Sequence, residues 1–238
     1  MMASSLKIAA VAAMAGLALA GAANGAVSFT YSPFGAAGLP TDEPIVVNFD
    51  TTAAAGYSYT QSSGATQIFT PASTIPYETG IYNDLPGVLI SGIAAAPALG
   101  GGLYDTTNFE AVLTGGTFTL TTPGVEDLSV YIGSADAYNE IQFENNGGTV
   151  IQSYSGFDIM PPADGDQAVG STNGRVYFNF GGQKVYKVLF TSSGNSFEFD
   201  NIAASVPEPS AWAMMLAGFG GLGAAMRISR RKPLAIAA

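Results

Sequence analysis

Carboxylates are the only abundant reactive groups in this sequence of 238 residues, which has 18 acidic residues, no histidine and no cysteine. Without imidazole or thiol, a Ser-His-Asp triad, a cysteine nucleophile, a disulfide framework and the usual zinc sites are all excluded. A glycoside hydrolase working through two carboxylates is not excluded by composition. Glu126-Asp127 and the pair Glu198 and Asp200 are the candidates. Two residues apart on a strand, Glu198 and Asp200 would share one face about 7 Å apart by backbone rise. On the solvent side of a strand such pairs read as surface charge, so a non-enzymatic protein is expected.

The same side chains could hold a cation. Asp158, Asp164 and Asp166 fall within one stretch, Phe157 to Asp166, that reads as a loop. An Asp-Gly-Asp turn offers oxygens to calcium, which takes about six to eight of them. The spacing is not that of an EF-hand, and a solvated loop is the simpler account. No cofactor is required, and calcium is the one the carboxylates would suit. Asp136, Asn139 and Glu140 end one predicted strand, and Asp200 and Asn201 lie on another. They would make a cation or sugar site only if the fold brings those ends together. Tyr57, Tyr59, Tyr77, Tyr82 and Tyr104 could stack on sugar rings, or cover an outer sheet face without any ligand.

These candidates sit on a body with a clear strand signature. Period-two alternation with β-branched and aromatic residues marks Ile45 to Phe49, Phe109 to Leu113, Thr117 to Thr121, Leu128 to Ile132 and Ile141 to Glu144. It continues through Thr149 to Ile151, Arg175 to Phe180, Lys184 to Phe190 and Ser196 to Ile202. Between them stand Gly115-Gly116, Asn145-Asn146-Gly147-Gly148, Gly181-Gly182 and Ser193-Gly194-Asn195, which supply the backbone freedom that tight hairpins need. No convincing amphipathic helix falls between residues 27 and 206. An all-β fold follows, an antiparallel two-sheet jelly-roll-like sandwich over 27–206. Phe29 to Leu103 should be looser, with Ile90 to Gly102 a loop at the sandwich rim. Residues 27–206 hold three basic residues against 17 acidic ones, a net charge of about −14. Such a body binds no nucleic acid by phosphate neutralisation and is repelled by anionic lipid.

Both ends predict export. Residues 1–26 have the three parts of a signal peptide: Lys7, an apolar run from Ile8 to Ala20, and small residues from Ala22 to Ala26 where signal peptidase would cut. At the other end, Ala211 to Met226 carries no charged side chain, and the apolar segment 211–228 predicts a transmembrane helix. It is a little short of the roughly 20 residues that span a bilayer. Trp212 suits the headgroup boundary, and Met214, Met215, Leu216, Phe219 and Leu222 suit hydrocarbon. Arg227, Arg230 and Arg231 would stop transfer and stay cytoplasmic, leaving 233–238 as a short cytoplasmic tail.

Pro207-Glu208-Pro209-Ser210-Ala211-Trp212-Ala213-Met214-Met215, with Leu216-Ala217-Gly218-Phe219-Gly220 and the basic end after it, resembles the PEP-CTERM sorting signal over 207–232. Residues 129–141 and 197–203 resemble stretches of exosortase-dependent surface proteins built on a β-sandwich. The resemblance implies recognition at Pro207, Glu208 and Pro209 and cleavage nearby by an exosortase. It implies a Gram-negative exporter, a transient inner-membrane precursor, and a mature protein at the envelope surface or outside the cell, with exopolysaccharide and biofilm as its setting. A carbohydrate-binding, lectin-like module, with or without calcium, is the alternative.

Overall fold

The computed structural model describes residues 25–33, 43–63, 65–69, 89–90, 93–101, 103–167, 169–205, 215–221 and 227. The expected signal peptide, save Gly25 and Ala26, lies outside them, as do Tyr77, Tyr82, Pro207, Glu208, Pro209, Trp212, Met214, Leu222, Arg230 and Arg231. In chain order the elements are β1 (Ser28–Pro33), β2 (Ile45–Val47), β3 (Ser58–Gln61), β4 (Thr66–Phe69), β5 (Leu89–Ile90), β6 (Ala94–Ala95), β7 (Ala98–Gly100) and β8 (Leu103–Tyr104). Then come β9 (Phe109–Val112), β10 (Gly116–Val125), β11 (Asp127–Gly133), β12 (Asn139–Glu144), β13 (Val150–Ser155), the short helix α1 (Gly156–Ile159), β14 (Gly174–Asn179), β15 (Val185–Ser192) and β16 (Phe197–Ala204).

Two antiparallel sheets face each other. One runs β1-β14-β11-β16-β9-β4, with β2 also on β16, and the other runs β13-β12-β15-β10-β3. The period-two pattern explains the layering. Phe118, Leu120, Ile141, Phe143, Val188 and Phe190 come from the second sheet and Leu128, Val130, Ile132, Val176, Phe178 and Phe199 from the first, all buried in one core. Phe190 stacks on Phe199 with ring centroids 4.2 Å apart, and Phe143 meets Phe178 edge-on at 4.9 Å. Each such ring contributes roughly 1.5–3 kcal/mol by leaving water.

Every strand expected between Phe109 and Ile202 is present, but the turns between them do different work from that expected. Asn145 to Gly148 closes a true hairpin, β12 on β13, with Asn145 Oδ1 accepting from the Gly147 and Thr149 amides at 2.9 and 3.0 Å. Gly115-Gly116, Gly181-Gly182 and Ser193-Gly194-Asn195 instead carry the chain from one sheet to the other, because β9, β14 and β16 lie in the first sheet and β10 and β15 in the second. Glycine serves both purposes, so the motif alone could not separate them.

Ile90 to Gly102 is not a rim loop. Its described part crosses the outer face of the first sheet as a strap with two small ladders, β5 on β6 and β7 on β8. Ala94, Ala96, Phe69, Phe109 and Ala111 form a second apolar cluster beneath it. The Tyr131 hydroxyl donates to the Ala98 carbonyl at 2.5 Å, and the Ala98 amide donates to Asn173 Oδ1 at 3.2 Å. Gly133 makes the close approach possible: a Cβ there would lie 2.7 Å from Pro97 Cα.

Within the expected transmembrane segment, residues 215–221 are helical and Met215, Leu216 and Phe219 are exposed, at 44%, 70% and 68%. Arg227 is also helical and exposed. Among the described residues no helix is long and apolar enough to cross a membrane.

Candidate functional site

At one end of the strap lies a polar cavity of about 190 Å³. Its lining includes Ser134, Asp136, Tyr138, Asp164, Asn195 and Glu198. Three parts of the chain meet there. Asp136 follows β11 and pairs with Asp164 in an isolated antiparallel bridge. Gly165 lies against Asp136 with φ +69°, and its amide donates to the Ala135 carbonyl at 3.1 Å. Glu198 rises from β16 beneath the strap. Asn139 fastens the region: its Oδ1 accepts from the Asp136 amide at 2.7 Å, and its Nδ2 donates to the Ser196 carbonyl at 3.2 Å.

The electrostatics are those of carboxylates out of water. Glu198 is 2% exposed, and burial pushes it up to about 7 despite donors from the Ser196 hydroxyl, the Ala95 amide at 2.9 Å and the Ser134 hydroxyl at 3.0 Å. Asp136 is also raised, first by burial and then by the charge on Asp164. A small, oxygen-rich, anionic cavity suits a polyhydroxylated or cationic group.

The expectation that Glu198 and Asp200 form surface charge is overturned, because the strap covers the face on which they stand. Asp200 is fully buried and is pushed up to about 9, first by burial and then by Asp105 beside it. Thr107 Oγ1 donates to Asp105 Oδ1 at 2.5 Å and lies 3.2 Å from Asp200 Oδ2, and Asn201 Nδ2 donates to Asp200 Oδ2 at 2.7 Å. Nearby, Arg175 is 3% exposed and donates through Nη1 to Ser129 Oγ and the Asn201 carbonyl, both at 3.0 Å. Sequence reasoning missed Asp105, Glu110 and Arg175, and the only signal for the first was its position between an Ala/Gly-rich stretch and Thr106-Thr107.

The three loop aspartates are split. Asp158 closes a capping box at α1, accepting from the Ser155 amide and hydroxyl at 2.8 and 2.7 Å, which lowers its pKa. Asp164 reaches the cavity. Asp166 gives its backbone carbonyl to Asn173 Nδ2 at 2.8 Å. Among the described residues no group of three or more acidic side chains is arranged to hold a metal ion. Glu140 is exposed outside the cavity lining, and Glu126-Asp127 falls at the β10–β11 turn. Of the described tyrosines, Tyr59 stacks on Phe118 in the core, Tyr57 is buried and donates to the Ser205 carbonyl at 2.9 Å, and Tyr104 packs on the second apolar cluster.

No curated protein matches this chain in sequence. Among solved structures, a family 6 carbohydrate-binding module overlays with a TM-score of 0.31 at 14% identity, over 63% of this chain and 94% of that one. A module from Clostridium stercorarium in complex with cellobiose gives 0.31 at 13%, with the same coverage. The enzymatically active domain of bacteriophage CBA120 tailspike protein 4 gives 0.27 at 11%, over 63% of this chain and 19% of that one. Likeness at this level carries no argument about ligand or activity. The end of the chain is different: where β16 leaves the sheet at Ser205, residues 205–232 match the PEP-CTERM protein-sorting motif, so the chain carries that sorting signal.

Proposed function

We propose that this chain is a non-enzymatic, exported surface or matrix protein with a jelly-roll-like sandwich, delivered through its C-terminal signal. The observation that carries this is the PEP-CTERM motif at 205–232, joined directly to the last strand of the body. In this reading the signal peptide directs export, residues 211–228 hold the precursor in the inner membrane of a Gram-negative cell, and Arg227, Arg230 and Arg231 keep the tail inside. An exosortase then recognises Pro207, Glu208 and Pro209 and cleaves nearby. The mature body joins the envelope or the extracellular polysaccharide. Replacing Pro207, Glu208 and Pro209 together with alanine tests this. The precursor should stay in the membrane fraction with its tail attached, and an unchanged C-terminal mass and fractionation would end the proposal.

A second reading, that the body binds carbohydrate, is favoured by the cavity. Its hydroxyl, amide and carboxylate lining suits a sugar ring. Asp136→Asn should weaken retention on a matching glycan at least tenfold. A glycan array on which nothing is retained above background would remove the idea.

A further inference from the structure

Two buried acids join the strap to the sheet beneath it, outside the cavity. Asp105 ends the strap, where its amide donates to the Pro97 carbonyl at 2.9 Å, and Asp200 stands on β16, inside the sheet. They are 2% and 0% exposed, and their side chains lie within hydrogen-bonding reach of one another. One oxygen of each is occupied: Asp105 Oδ1 accepts from the Thr107 amide at 2.9 Å and from its hydroxyl, and Asp200 Oδ2 from Asn201 Nδ2 at 2.7 Å. The other two, Asp105 Oδ2 and Asp200 Oδ1, meet no N–H or hydroxyl donor among the described residues. Buried carboxylate oxygens are rarely left so, and two carboxylates in one dry site oppose each other's ionisation. A single proton answers both difficulties: carried by one acid, it is donated to the other.

We propose that Asp105 Oδ2 and Asp200 Oδ1 share one proton, and that this proton latches the strap onto the first sheet until alkaline solution removes it. None of the surrounding titratable or charged groups donates to those two oxygens. Tyr131 on β11 lies opposite Asp200, but its hydroxyl donates to the Ala98 carbonyl. Arg175 on β14 donates through Nη1 to Ser129 Oγ and the Asn201 carbonyl, and Glu43, ahead of β2, acts on Arg175. Tyr104 packs on the second apolar cluster, Asp50 is exposed, and Glu198 stands two residues before Asp200. Glu110, opposite Phe199, falls on the other face of the sheet. The sign is that of a proton gained on folding. Asp200 is pushed up to about 9, so its support for the fold is full below about pH 4 and is lost as pH rises through about 9. Two like charges then face each other and the strap lifts. That also takes a wall from the cavity, because Ile93 and Ala94 line it and the Ala95 amide donates to Glu198 Oε1. The latch stands whether or not the cavity takes a sugar.

Amide exchange of the full-length chain at pH 7 and pH 10.5, corrected for the intrinsic base-catalysed rate, tests this. Protection over residues 93–101 should fall at least tenfold more than over residues 185–192. Asp200→Asn should abolish that difference, because its amide donates to Asp105 without titrating, and Glu198→Gln should keep it. Infrared spectra of the unaltered chain, isotopically labelled at the aspartate carboxyls, do not depend on a variant folding: a protonated-carboxyl band should be present at pH 7 and gone by pH 10.5. Equal loss over both segments, a difference that survives Asp200→Asn, or no such band at pH 7 would each overturn the latch.

Discussion

Glu110 shows how strongly position rules a single side chain here. It lies on β9 opposite Phe199 and is fully buried; Gln61 Nε2 donates to its Oε2 at 2.6 Å, while Oε1 has no partner among the described residues. Burial pushes it up to about 8, above the reach of the Gln61 and Gln67 hydrogen bonds that lower it. A folded pKa above the unfolded one means the group supports folding fully below about pH 4 and loses that support as pH rises through about 8. Glu198, at about 7, acts in the same direction. Melting curves in EDTA should therefore fall from pH 5 to pH 9. Glu110→Gln should flatten much of that fall and melt several degrees above the unaltered chain at pH 9. A curve that rises with pH would refute this. None of it was legible beforehand: in Phe109-Glu110-Ala111-Val112 the alternation marks a strand but cannot say which face another part of the chain will cover.

Among the elements, the strap is where sequence and structure part most. The strands from β9 to β16 were legible because each carries its own alternation, and the core rings Phe118, Phe143, Phe190 and Phe199 all fall on the inward phase. The strap carries no such pattern. Ala94-Ala95-Ala96-Pro97-Ala98 reads as a loop because small side chains give no period. Yet small size is what lets a backbone lie flat on a sheet and place its amides against Glu198 and Asn173. By covering the sheet it turned Glu198 and Asp200 from expected surface charge into buried groups. The cavity was half legible: Asp136, Asn139 and Asp164 were singled out, but their convergence depends on a bridge between distant segments. Gly133→Ala should lift the strap, since the new methyl would meet Pro97. We expect a loss of about 2–4 kcal/mol, read as a lower urea midpoint, with faster amide exchange in 93–101. An unchanged midpoint would show that the strap yields without cost.

For the whole molecule, the decisive feature is where the last strand lies. Strand β16 pairs with β11 along one side and with both β9 and β2 along the other, so the final segment of the body stands inside its larger sheet. A chain that emerges amino end first presents β2, β9 and β11 long before their common neighbour arrives. Until residues 197–204 have emerged, the seven-stranded sheet is missing an interior member and the Phe118 and Phe190 rings lack Phe199. Nascent chains arrested before residue 197 should accordingly be digested by protease at least tenfold faster than chains extended beyond residue 205. Completion of the body thus coincides with emergence of the sorting motif, which begins at residue 205 directly after β16. Synthesis of the signal and acquisition of the finished shape are ordered in time by nothing more than strand order.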